Sequence, residues 1–156
     1  MNDSAARPVI LQFEGQYEFL SNFFMRPMMY RALRWPSSEH AYQAMKTSVL
    51  REQERIRLEA PHARDAKRMG NRVTLRPGWD QRKLHFMKAI IDHKFVLKSP
   101  LAQALVDTDN AILIEGNRHD DRFWGQVDGE GENNLGIILM NRRQALLDLG
   151  AKSVNK

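Results

Sequence analysis

The 156-residue chain contains no cysteine. That absence removes disulfide frameworks, thiolate metal sites and cysteine nucleophiles together. There is also no apolar run near the roughly 20 residues that cross a bilayer. The opening Met1-Asn2-Asp3-Ser4-Ala5-Ala6-Arg7 lacks the apolar core of a signal peptide. A cytoplasmic protein without membrane contact is expected. The HExxH and GxSxG signatures, the P-loop and the dinucleotide fingerprint are all missing. The histidines, at positions 40, 62, 85, 93 and 119, form no metal-ligand pair, because His85 and His93 lie two helical turns apart. Neither a metal nor a cofactor is expected.

What is present is charge, unevenly placed. The net charge is +5, yet residues 51–98 hold 13 of the 24 Lys and Arg against 6 of the 19 acids. Such a stretch is either a solvated helical face or a surface for phosphate, in a nucleic acid or a small molecule. At this length a continuous core needs no staples, and a single domain is expected. Its anticipated organisation is an arm and first strand over residues 1–12, a folded body over 13–150 and a tail over 151–156.

The most informative segment runs from Trp35 to Lys46. A proline followed by Ser37 and Ser38 is a helix start, so Glu39 falls in the first turn, where the helix dipole favours an ionised acid. Glu39, Gln43 and Lys46 recur on one side, while Ala41, Tyr42, Met45 and Val49 are expected to face a core. The acidic and basic ends of the polar side read either as a site or as a solvated pair worth a few tenths of a kcal/mol, on the order of 0.3.

Short strands are expected at Val9–Phe13, Phe23–Met25 and Met28–Leu33, with Ser21-Asn22 as a polar turn. Helices follow over about 51–60 and 63–69, the latter closed by a left-handed cap at Gly70-Asn71. The longest helix is expected from Trp79 to about Leu97, with Leu84, Met87, Ile91 and Phe95 on its buried stripe. A short helix after Ser99-Pro100, a buried strand at Ala111–Ile114, a polar loop over 116–131 and a helix over 134–149 complete the order. The fold class is α+β, a mainly helical domain with a few short strands.

Two further stretches carry chemistry. Glu115 to Gly125 gathers charged side chains around Phe123-Trp124 directly after a strand, as either a site on a rigid strand end or an acidic turn with its aromatics folded inward. Gly129 to Gly136 leads into the last helix, either as a phosphate-receiving N-terminus or as a plain start capped by Asn133 or Asn134.

Read in order, Phe13-x-Gly15, Leu20-Ser21-Asn22-Phe23, the Trp35–Lys46 run, Ala66-Lys67-x-x-Gly70, Arg76, Trp79, Met87, Lys94-Phe95, Leu113-Ile114-Glu115, Asp121-x-x-Trp124-Gly125, Asn133-x-Leu135-Gly136 and Leu139-Met140 with Arg143 form a pattern. It resembles the NADAR family, which includes bacterial riboflavin-intermediate N-glycosidases. The resemblance covers about Phe13 to Arg143 and departs in the polar stretch from Glu115 to Asp121. It implies hydrolysis of a bond between ribose and a nitrogenous base. The substrate is then a small phosphoribosyl-amino-pyrimidine, or an ADP-ribosylated guanine, free or in nucleic acid. A third possibility is a module that binds ADP-ribose without turnover.

The resemblance also implies roles. An ionised carboxylate near the anomeric carbon stabilises positive charge on the sugar and activates water, a role that suits Glu39. Asp121 is the second carboxyl group, for ribose hydroxyls or acid–base work. Lys46 holds a phosphate, or attacks a ring-opened ribose as an amine. Trp124 and Trp79 stack on the base or fill the core, Ser21 and Asn22 meet the base edge or form a turn, and His40 lies on the substrate side. Asn133 and Arg143 meet sugar or phosphate, or serve as a cap and a surface cation.

Overall fold

In the computed structural model, which describes residues 5–155, helices dominate and strands are short, in agreement with the α+β expectation. Residues 1–4 of the expected arm and residue 156 of the expected tail lie outside the described residues. The chain forms two compact units, one of residues 21–94 and one joining the segments before and after them.

The central unit begins with a hairpin of β1 (Met28–Tyr30) and β2 (Leu33–Trp35), paired antiparallel with Tyr30 opposite Leu33. The expected single strand over 28–33 is therefore two strands around Arg31-Ala32. Both turn residues take positive φ, 52° and 60°. Tight hairpins need this conformation to match strand twist, but for a residue with a Cβ it costs about 1–2 kcal/mol. The expected strand at Phe23–Met25 does not form; those residues are a turn, a bend and irregular chain, shaped by the Ser21 hydroxyl and carbonyl that accept the Phe23 and Phe24 amides.

Helix α1 (Ser38–Met45) starts as read, with Ser37 as its cap accepting from the His40 amide. All eight of its residues are buried, because it packs against α2 (Leu50–Glu59), α3 (Ala63–Gly70) and α4 (Trp79–Lys94). The two-sided helix anticipated from the sequence is thus enclosed on its polar side as well. Val49 lies beyond the end of α1 and is 41% exposed, and Leu84 on α4 is 43% exposed. Neither joins the core, which here includes Trp35, Met45, Ile56, Met87 and Ile90.

Gly70 is also not what the spacing suggested. Helix α3 runs through it and Asn71 keeps a right-handed conformation, so no left-handed cap exists. Its glycine is required by packing: a Cβ there would lie 2.9 Å from the Gln43 Cβ and 2.8 Å from its Cδ, and would overlap its Oε1.

In the other unit, β3 (Val9–Ile10) pairs in parallel with β4 (Ile112–Leu113), and a 3-10 helix covers Gly15–Leu20. Helices α5 (Pro100–Val106) and α6 (Asn134–Asp148) pack together, and α6 packs on β4. Leu105, Leu113, Leu135, Leu139 and Leu146 are fully buried here. Gly150 stops the last helix with φ +97° as anticipated. Among the described residues no helix is long and apolar enough to cross a membrane.

Asn133 holds this unit together in a way the sequence concealed. It adopts φ +55°, a conformation that asparagine tolerates better than most residues. Its side chain donates to the Leu113 carbonyl at 2.8 Å and accepts from the Glu115 amide at 3.0 Å. It does not cap α6. Asn133→Ala is expected to lower stability by about 2 kcal/mol, since it orphans two buried backbone groups and worsens the left-handed strain. A thermal midpoint unchanged from wild type would contradict that.

Candidate active site

The buried start of α1 is built from the chain preceding β1. The Asn22 carbonyl accepts the Glu39 amide at 3.2 Å, and the Asn22 side-chain oxygen accepts the Ser38 hydroxyl at 2.9 Å. The Asn22 amide is in turn 3.4 Å from the Met87 sulfur on α4. Ser21 makes the expected turn, its hydroxyl accepting from the Phe23 amide, while its carbonyl accepts from the buried Lys94 at 2.8 Å. Thus Asn22 lies beside Glu39 and fixes where its helix begins, and Ser21 holds the turn just before it.

Glu39 is 6% exposed. One turn on, the Gln43 amide donates to its Oε1 at 2.6 Å, and the Gln43 carbonyl oxygen lies against Gly70 with no hydrogen-bond donor among the described residues. Buried between α1 and α3, Gln43 has little room to rotate, so it orients one carboxylate oxygen. Another turn on, Lys46 reaches the Asn71 side chain at 3.4 Å. Burial holds its amine below the usual lysine range, Glu39 opposes that shift, and Lys67 and Lys83 add to it. A carboxylate and an amine with a lowered proton affinity therefore act on each other along one helix. Gln43 and Asn71 extend the residue set read from the sequence. Gln43 was visible as the i+4 partner of Glu39; Asn71 carried no signal, since only the fold brings it to Lys46.

His40 has no exposed surface. Its Nε2 faces the Ala60 carbonyl at 3.0 Å, so that nitrogen carries the proton, and Nδ1 accepts from the Ser37 hydroxyl at 2.7 Å. Both nitrogens are committed to the protein. Burial lowers its pKa below 6.5, with the Ala60 bond and Asp65 opposing. The neutral ring is thus favoured in the folded state, and the stability it contributes is fully present above about pH 6.5, its unfolded value. That contribution is lost as pH falls through the lower folded value. Wild type is therefore expected to lose thermal stability in this acidic range more steeply than His40→Gln; parallel curves would show that His40 is not the group responsible.

Trp79 is 7% exposed, packed at 26° to Phe86 with centroids 5.6 Å apart and 5.5 Å from the Tyr42 ring. Its faces are largely taken up by these neighbours.

The remaining sequence candidates belong to the other unit. Asp121 accepts from the Phe123 and Trp124 amides at 3.2 and 2.9 Å, and Asn117 grips its backbone from both sides. Trp124 is half-buried, edge-on to Phe123 at 4.8 Å. The loop is held tightly where Gly125 passes the Glu115 carbonyl, because a Cβ there would overlap that oxygen. Arg143 is 5% exposed and donates to the Thr108 hydroxyl and the Ala111 carbonyl at 2.8 and 2.9 Å. It is a buried tie rather than a surface cation.

Comparison with known proteins agrees with the resemblance read from the sequence. The NADAR domain profile matches residues 11–147. The chain is 39% identical over 136 residues to a riboflavin biosynthesis protein of Vibrio vulnificus, covering 85% of this chain and 36% of that protein. It is 35% identical over 134 residues to N-glycosidase YbiA of Shigella flexneri, covering 83% of this chain and 82% of the relative. The NMR structure of Escherichia coli YbiA superposes with a TM-score of 0.78 at 30% identity, covering 97% of this chain and 94% of that one. From its sequence pattern, its fold and these matches, the chain belongs to the NADAR domain family.

Proposed function

We propose that this chain, an N-glycosidase by its family and its relatives, hydrolyses the bond between C1 of ribose and a nitrogen of a phosphorylated ribosylamino-pyrimidine. The observation that carries the assignment of chemistry is the Glu39 carboxylate, buried and oriented by Gln43. As the C1–N bond breaks, its electron pair leaves with the base nitrogen, which takes up a proton, and positive charge develops on the sugar. Glu39 stabilises that charge and accepts a proton from the water whose oxygen adds to C1.

Lys46 serves beside it. Its lowered pKa supports a covalent variant in which the neutral amine, in place of water, adds to C1 of a ring-opened ribose; the C1–N bond breaks, the base leaves with a proton, and water then hydrolyses the Lys46 imine. Borohydride added during turnover should then attach the sugar covalently to Lys46. Absence of such an adduct in an active preparation would leave Lys46 as a phosphate ligand. The family pattern adds Asp121 for ribose hydroxyls and Trp124 for the leaving base, on the motif alone.

A second reading, removal of ADP-ribose from guanine in nucleic acid, is favoured by the basic residues 51–98. The test is base release from a ribosylamino-pyrimidine phosphate and an ADP-ribosylated guanine oligonucleotide in parallel, across a salt series. Release from the first with weak salt dependence is expected. Release from the oligonucleotide alone would replace the first reading with the second, and release from neither would overturn both.

A further inference from the structure

Phe86 on α4 is 2% exposed, and what shields it is unusual. The guanidinium carbons of Arg76, Arg82 and Arg31 lie 5.1, 5.3 and 5.5 Å from the centroid of its ring. No two of them are farther apart than the sum of their two distances to that point. Arg31 also lies 5.7 Å from the Tyr30 ring. None of the three forms an ion pair with a carboxylate among the described residues.

Shielding a ring from water explains one guanidinium, since the ring's negative face attracts a cation. It does not explain three, because each added charge repels those already there. Burial is the main reason the Arg76 pKa lies below its ordinary value, and Arg82 and Arg31 lower it further while Tyr30 opposes them. The cluster is also placed with some rigidity. Arg76 donates to the Met45 and Thr47 carbonyls at 3.0 Å each, which ties it to the end of α1 on either side of Lys46. Arg31 is carried by the hairpin turn in the left-handed conformation, where asparagine or glycine would be relaxed. Convergent guanidiniums without an acid suit an acceptor of several charges, and their planar forks match phosphate oxygens.

We propose that Arg31, Arg76 and Arg82 form a phosphate-binding subsite for a phosphate ester carrying two or more negative charges. Arg76 is the fixed anchor, and Arg31 and Arg82 swing their forks from Phe86 onto the ligand. Two sources share this chemistry, a free diphosphate group and the backbone of a nucleic acid strand.

The experiment is titration of the full chain with pyrophosphate and, separately, with an unmodified single-stranded oligonucleotide, followed by calorimetry and by fluorescence of Trp79, which stacks on Phe86. The variants are Arg31→Asn, Arg82→Gln and the pair combined. Arg31→Asn relieves the turn, so weaker binding by that variant cannot be ascribed to a damaged fold. Saturable pyrophosphate binding, weakened about tenfold in the double variant, is the expected result. A shallow salt dependence with pyrophosphate alone identifies a free diphosphate, and a steep one with the oligonucleotide identifies a strand. No saturable binding of either probe at low salt, or equal binding by wild type and the double variant, overturns the subsite. The measurement is of binding and not of base release, so its failure leaves the glycosidase reading intact.

Discussion

Glu39→Gln is expected to cut the rate of base release by about 10²–10⁴-fold, the range for losing a positioned proton acceptor that also stabilises charge. The substitution preserves shape. Gln43, which donates to Glu39 Oε1 at 2.6 Å, still finds an oxygen there, and the thermal midpoint should be unchanged or higher, since a buried charge has been removed. The loss is expected in kcat, because the carboxylate matters most when the sugar becomes positive. A second signature separates this role from a structural one. Glu39 raises the pKa of Lys46, so neutralising it should move the Lys46 titration, and any alkaline limb of the pH–rate profile that reports it, to lower pH. Activity within about threefold of wild type, well short of the losses known for such groups, would remove Glu39 from the reaction.

The second large effect comes from a residue without a side chain. In Gly70→Ala the added methyl meets Gln43 not only at its flexible end but at Cβ, 2.9 Å away, so α1 and α3 must separate or Gln43 must turn. Overpacking of this kind costs about 1–3 kcal/mol. Because Gln43 orients Glu39, the shift should pass to the carboxylate, and a misplacement near 1 Å costs about 10²-fold in rate. Gly129→Ala is the control: that glycine has φ +81° and open space around it. It should lose about 1 kcal/mol from backbone strain and keep full activity. If Gly70→Ala and Gly129→Ala lose stability alike and both stay active, Gln43 does not transmit packing to the site.

Much of this architecture was legible from residues alone, wherever the signal was local. The Ser37 cap, the Ser99-Pro100 start, the stop at Gly150 and the near positions of the six α-helices among the described residues follow from capping and periodicity, which act within a turn or two of chain. The Glu39–Gln43–Lys46 spacing was visible for the same reason. The sequence misled where a residue's role depends on a neighbour distant in the chain. Gly70-Asn71 reads as a left-handed cap, yet the glycine is small because Gln43 passes it. Val49 and Leu84 fit an apolar stripe, yet helix packing ended before it reached them. The tertiary partners of His40 and Arg143 were equally hidden: Ala60 for the first, and Thr108 and Ala111 for the second, lie 20 and more residues away in the chain.

The amino-acid sequence by itself determined the helical order, the absence of thiol chemistry, the presence of an acid and an amine on one helix, and the family. Only the tertiary structure decided that the acid is buried and aimed by Gln43, that Lys46 has a lowered proton affinity, and that Arg31, Arg76 and Arg82 share one aromatic ring. The reason is physical: caps and periodicity are short-range, whereas desolvation and charge repulsion depend on which surfaces meet when distant segments pack.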